Sequence, residues 1–213
     1  MATLENIWRQ VDNCPACQAS KNSLQHVHGG GQENKPRFAL VFINPTYNNI
    51  STQPQWRGKR YPFIGTRAVW RVLVKSGLLP VSVLQLTEGK WSEETAVQVE
   101  KIMQESGIYL TNVVKCTAPH GDAPSVETIR DKLPLLIEEL EIVQPQLTIA
   151  MGLIPFKALT GESVKLGEFT KKFAVKPKFF PSPAGKVVPC WFPIGRGNPK
   201  KAIQLLKAIS ANV

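Results

Sequence analysis

The chain has 213 residues, 43% hydrophobic and 20% charged, with a formal net charge of +10 at pH 7 and a pI near 9.6. That is enough apolar material for one well-buried domain over residues 1–213, yet no apolar run reaches the roughly 20 residues of a membrane helix. The first residues carry no apolar signal-peptide core, so the expected setting is the cytoplasm, near the nucleoid, with a polyanionic partner (nucleic acid before membrane) or simply a soluble basic surface.

In chain order, residues 4–12 read as a short helix, and "CPACQASKNSLQHVHGGG" as a polar loop. Residues 37–43, "RFALVFI", form an apolar strand that ends abruptly on Asn44-Pro45-Thr46-Tyr47. The connection "NPTYNNISTQPQWRGKRYPFIG" is longer than the roughly 12–15 residues beyond which loops in compact domains are usually functional. "TRAVWRVLVKSG" has helical spacing, and "SEETAVQVEKIMQESG" is a helix with Ser92 as N-cap and Gly107 as stop. "IYLTNVVKC" is a buried strand, and "SVETIRDKLPLLIEELEIVQ" a long helix opening at Ser125 and kinked or restarted near Pro134. The strand "QLTIAMG", the helix "LIPFKALTG", the strand "KVVPCWF" and the helix "NPKKAIQLLKAISA" complete the chain. This alternation predicts a three-layer α/β/α sandwich with a mostly parallel central sheet. Such sheets bind ligands outside the carboxyl ends of their strands, which is where Asn44 falls.

Four cysteines occur, Cys14, Cys17, Cys116 and Cys190. Without a secretory signal a disulfide framework is not expected, and "CPAC" outside a βαβ unit reads as metal-binding before redox-active.

Four segments, "FINPTY", "YPFIG", "YLTNVVKC" and "VVPCWFPIGRGNPKK", follow "CPAC" in an order that resembles the uracil-DNA glycosylase superfamily, and most closely its iron–sulfur, family 4 branch. There a C-x-x-C, a GEAPG strand end, a PFVG turn, a TNVVKC strand and an HPS-loop-RNP segment succeed one another. The resemblance implies a base-flipping DNA glycosylase, in which Phe63 stacks on the extruded base and Asn112 reads its edge through an amide. Read from the residues alone, Phe63 is a core phenylalanine and Asn112 a loop cap.

Two catalytic segments depart from the pattern. "NP" replaces the acidic strand end; Asn44 cannot offset oxocarbenium charge as a carboxylate does, but its carbonyl can position the attacking water. Phe192-Pro193-Ile194 stands where the family has HPS, removing a donor to the departing base, with a backbone N–H near Gly195 as a possible substitute. A third departure is the longer connection after Pro45: Trp56, Arg57, Lys59 and Arg60 are expected at the pocket mouth, gripping DNA, with a solvated charge run as the alternative. Thr46 and Tyr47 replace the small gate of the family and suit a reshaped base pocket. "GRGNPKK" matches the wedge loop, so Gly195, Arg196, Lys200 and Lys201 are expected on DNA.

The resemblance also implies a [4Fe–4S] cluster on four cysteines. Cys14, Cys17 and Cys116 match three, and the fourth position is Lys132. Zinc on Cys14, Cys17, Cys116 and His120 is preferred, with His26 and His28 as rival ligands and a metal-free remnant as the alternative. No organic cofactor is expected. With no lysine nucleophile in the motif positions, the expected enzyme is a monofunctional glycosylase, a monomer acting on DNA. One role within the superfamily is defence against phages with hypermodified cytosines, and the remodelled entrance suits such a base better than plain uracil. The alternatives are ordinary uracil repair and a catalytically silent nucleic-acid-binding protein.

Overall fold

The computed structural model describes residues 3–15, 24–195 and 197–213. The central strands are β2 (Phe38–Phe42), β3 (Ile108–Asn112), β4 (Leu147–Met151) and β6 (Gly185–Cys190), parallel to one another in the order β3-β2-β4-β6. Two short antiparallel strands close the edges, β1 (Gly30–Gly31) on β3 and β5 (Phe180–Ser182) on β6. Edges this short expose little unpaired backbone. Strands β2, β3 and β4 are buried along their whole length, as a sheet covered on both faces requires.

The connections explain the layers. From β2 the chain passes through α2 (Arg67–Lys75), α3 (Ser82–Thr87) and α4 (Glu93–Glu105) to β3, then returns through α5 (Val126–Val143) to β4 on the other side of β2. Right-handed crossovers running in opposite directions place their helices on opposite faces. So α5 packs with α1 (Leu4–Asp12) and α6 (Leu153–Thr160), whereas α2 packs with α3 and with the last helix, α8 (Pro199–Ser210). The strand order reverses between β2 and β4, and the crevice beyond their carboxyl ends is the place for a ligand.

Local signals largely predict the helices. Ser92 caps α4 by accepting from the Thr95 N–H at 3.1 Å, Ser125 caps α5 in the same way, and Asn198 accepts from the Lys201 N–H to open α8 with Pro199 in its first turn. The expected break at Pro134 does not occur: α5 runs unbroken through it. Pro134 and Arg130 are exposed, so the carbonyl that the missing N–H leaves free faces water. A short helix, α7 (Leu166–Phe173), lies between α6 and β5.

Candidate active site

A cavity of about 700 Å³ opens where that crevice was expected. Its wall comes from the residues after β2, from Phe63 and Thr66, from the end of β3, from residues 120–123 and from Phe192, Ile194 and Gly195. Asn44, Phe63 and Asn112 therefore meet in one site.

Asn44 leaves β2 with its side-chain amide anchored. Nδ2 donates to the carbonyl oxygens of Pro45 (3.1 Å) and Asp122 (3.2 Å). Both amide hydrogens are thus committed, which leaves Oδ1 as the acceptor the site can use. The two loops are zipped together beside it: Thr46 bridges Ala118, and the Ala118 N–H donates to the Pro45 carbonyl at 3.0 Å. Thr46 lines the cavity; Tyr47 does not line it and is 48% exposed.

Asn112 sits opposite Phe42 in the β2–β3 register and is 1% exposed. Its Nδ2 has no hydrogen-bond partner among the described residues. A buried amide without a partner is costly, on the order of 1–3 kcal/mol, and at a cavity wall it marks a place where a ligand completes the bond. Its backbone carbonyl accepts from the Lys115 ammonium at 2.7 Å. That ammonium is also paired with Glu139, whose other oxygen accepts from Tyr109 (2.8 Å) and Thr111 (2.7 Å). Burial pushes the Lys115 pKa down, against the opposing pull of Glu139. Phe63 stands edge-on to Phe42, ring centroids 4.5 Å apart, with a backbone φ of +70°.

On the far wall Phe192 meets Phe42 edge-on at 6.4 Å and gives an apolar surface where an imidazole would be expected. The following loop is tight. The Asn198 N–H donates to the Phe192 carbonyl at 3.1 Å, and a Cβ on Gly197 would lie 2.0 Å from that oxygen, so only glycine fits. Arg196 lies outside the described residues. Lys200 and Lys201 are exposed in the first turn of α8, with the Lys201 ammonium 4.8 Å from the Trp191 ring centroid.

The long connection corrects an expectation. Trp56 is buried and its indole donates to the Lys59 carbonyl; none of residues 56–60 lines the cavity. Lys59 pairs with Glu100 (3.3 Å) and Arg60 with Asp12 (2.7 Å), while the Arg57 N–H donates to Glu93 and its guanidinium to the carbonyls of Pro54 and Trp56. The segment fastens α1 and α4 to the sheet instead of framing the pocket mouth.

The metal set is corrected too. Cys14 and Cys116 line a separate cavity of about 310 Å³ together with His26, Lys115 and Lys132, whereas His120 lines the active-site cavity. After Cys116 the Thr46–Ala118 bridge carries the chain over the carboxyl end of the sheet, so His120 is drawn away from the thiols. Lys132, at the fourth cluster position, donates to the Cys14 sulfur at 3.1 Å, and an ammonium used in this way is no ligand. Cys17 lies outside the described residues. Among the described residues no group of three or more His, Cys, Asp or Glu side chains is placed to hold an ion, and His120 does not share a cavity with Cys14 and Cys116. Cys190 is in the core, its thiol pushed up to about 12 by burial.

Sequence reasoning missed His120 and Asp122 as parts of this site. The signal was present in "PHGDAP", a polar turn in the connection that follows β3, which the rule that singled out Asn44 also selects. Asn49 was missed as well: it donates to the Tyr61 carbonyl at 2.8 Å and accepts from Ser51, pinning the loop after β2.

Comparison with known proteins agrees with this architecture. The chain matches the model of the uracil DNA glycosylase superfamily over residues 30–206. It is 40% identical over 57 residues to a type-4 uracil-DNA glycosylase of Pyrobaculum aerophilum, covering 27% of this chain and 29% of that protein. It is 22% identical over 152 residues to a type-4 uracil-DNA glycosylase of Archaeoglobus fulgidus, covering 71% of this chain and 61% of the relative. The matches thus span less than two thirds of either relative's length. Among the described residues no helix is long and apolar enough to cross a membrane. With the family model covering most of the chain and the strand-end site in the expected crevice, the protein belongs to the uracil DNA glycosylase superfamily.

Proposed function

We propose that the protein is a monofunctional DNA glycosylase that hydrolyses the N-glycosidic bond of a flipped, altered pyrimidine, with a modified cytosine preferred to plain uracil. The observation that carries this is Asn112: a buried amide whose Nδ2 lacks a partner, at the wall of a cavity large enough for a base and beside the Phe63 ring. An amide donor pairs with the acceptor edge of a pyrimidine, and the ring supplies a stacking face. Asn44, with both amide hydrogens anchored, presents its carbonyl to a water below the sugar. The cavity of about 700 Å³ exceeds what a bare pyrimidine fills, which supports a bulkier base, and defence against DNA carrying such bases is the role that suits it.

DNA is gripped, in this reading, beside the wedge loop. Lys200 and Lys201 open α8, and Lys165 and Lys171 share a groove with Lys201 and Glu168, which gives phosphates a mostly cationic surface. The chain acts as a monomer, in the cytoplasm at the nucleoid. The second reading is ordinary uracil repair, favoured by the names of the two relatives.

The test is incubation with duplexes carrying uracil, hydroxymethylcytosine or glucosylated cytosine, followed by alkali. Strand scission is expected soonest at a modified cytosine. Preferential release of uracil would establish the repair reading, and no abasic product from any duplex would refute both.

A further inference from the structure

We infer that the turn formed by His120, Gly121 and Asp122 supplies the acid–base groups of this site, in place of the carboxylate and imidazole missing from positions 44 and 192; the inference rests on the glycosylase reading.

Hydrolysis at the sugar has two proton requirements. The attacking water must lose a proton as its oxygen bonds to C1′, and the departing pyrimidine must receive one, or a strong hydrogen bond, as it takes the bonding electrons. Among the described residues lining the cavity, only His120 and Asp122 carry an imidazole or a carboxylate; the rest are apolar, amide, hydroxyl or glycine. Amide and phenyl side chains at 44 and 192 can position and enclose, but they cannot take up or release a proton.

The turn is fixed to the catalytic strand end and is no loose rim. The Asp122 carbonyl accepts from Asn44 Nδ2 at 3.2 Å, the Gly121 N–H donates to the Ala118 carbonyl, and Ala118 is bridged to Thr46. Gly121 has φ +79°, and a Cβ there would lie 3.9 Å from the Tyr47 ring. The same side chain that presents a carbonyl to water is therefore tethered to the residue carrying the carboxylate. Among the described residues the Tyr47 ring lies beside Gly121.

The roles follow from this tether. Water held by Asn44 Oδ1 bonds through its oxygen to C1′ and gives its proton to the Asp122 carboxylate. The C1′–N1 bond breaks, its electron pair leaves with the base, and protonated His120 donates the proton that neutralises the base. Asp122 then returns its proton to solvent and His120 regains one. No co-reactant beyond water is consumed.

The test is single-turnover base release by the wild type, Asp122→Asn and His120→Gln on the most rapidly cleaved duplex, across about pH 3 to 9, with duplex affinity measured alongside. Asp122→Asn leaves the backbone carbonyl, and so the Asn44 tether, in place. Each variant is expected to lose about 10²–10⁴-fold in rate with its Kd for the duplex unchanged. Asp122→Asn should flatten the acid limb of the profile, and His120→Gln the alkaline limb. Both side chains are exposed, so both variants are expected to fold, with unfolding midpoints like the wild type. Wild-type rates and pH profile in both variants would overturn the inference and leave the glycosylase reading intact. A wild type that releases no base would refute that reading, and the inference with it.

Discussion

The carbonyl oxygen of Phe63 accepts a hydrogen bond from the Trp70 indole at 3.1 Å, and Phe63 itself holds a φ of +70°. A bulky residue in that region is strained by roughly 1–3 kcal/mol and persists only where its surroundings impose it. Here they do: Trp70 is fully buried, the Thr66 N–H takes the same carbonyl, and the ring is set against Phe42.

Stacking and strain are separable by substitution. Phe63→Ala removes the ring and keeps an L residue at positive φ, while Phe63→Gly removes the ring and relieves the strain. Both are expected to slow base release by an amount equivalent to about 1–3 kcal/mol of lost stacking. In urea denaturation the glycine variant should be at least as stable as the alanine variant, against the usual order. An alanine variant that is the more stable one would show that the strained backbone is not retained in solution.

Much of this was legible because it is local. Strand runs, N-caps at Ser92, Ser125 and Asn198, and the parallel crossovers follow from patterns within a few residues; the strand-end rule reached Asn44, and the resemblance reached Asn112. What failed was pairing across the chain. The cations of Lys59 and Arg60 look free until folding brings Glu100 and Asp12 to them. The four-residue separation of Cys116 and His120 suggested shared ligation, but a strand end lies between the two sides of the sheet, and the turn leads His120 to the other cavity. Strands β1 and β5 are too short to carry any periodicity, so only their partners define them.

The Lys115–Glu139 pair makes a stability prediction. The two side chains are 5% and 0% exposed, and the ammonium also supports the Asn112 carbonyl. Lys115→Met leaves a carboxylate buried and uncompensated, at a cost of about 3–5 kcal/mol. Adding Glu139→Gln removes that charge while keeping an oxygen for Tyr109 and Thr111, so most of the loss should be recovered in equilibrium unfolding. No recovery in the double variant would mean that the lysine acts mainly through Asn112.

Acid should release the N-terminal helix before the core unfolds. Burial would raise the Asp12 pKa, but hydrogen bonds with His28 and Arg60 outweigh it and lower the value from 3.8 to about 2. Its contribution is complete above the ordinary carboxylate range and is lost as pH falls towards 2. Burial lowers the His28 pKa below 6.5, with Asp12 opposing, so the unfolded chain binds that proton first and acid again favours release. Both effects have the same sign, and the first begins below about pH 6.5. Trp8 stacks on His28 with ring centroids 4.8 Å apart, so its fluorescence should change ahead of the far-ultraviolet signal on acidification. Asp12→Asn should remove the part of this change that occurs below about pH 4. Coincident transitions by both probes would contradict a separately released helix.

Lys132 holds the position at which the resemblance to iron–sulfur glycosylases calls for a fourth cysteine, and its ammonium binds the Cys14 sulfur at 3.1 Å. An ammonium in that place supplies no sulfur to a cluster. The expected consequence is a gain of function. Lys132→Cys restores four cysteines, Cys14, Cys17, Cys116 and the new one, and reconstitution with iron and sulfide under anaerobic conditions should produce broad visible absorption with iron near four per chain. The wild type, treated identically, is expected to retain no stoichiometric iron, because an ammonium cannot complete the set. Cys14→Ser in the Lys132→Cys background should abolish the absorption, tying it to these sulfurs. Stoichiometric iron in the wild type would show that Lys132 yields to another ligand, and a colourless Lys132→Cys protein would show that this cavity no longer has the shape of a cluster site.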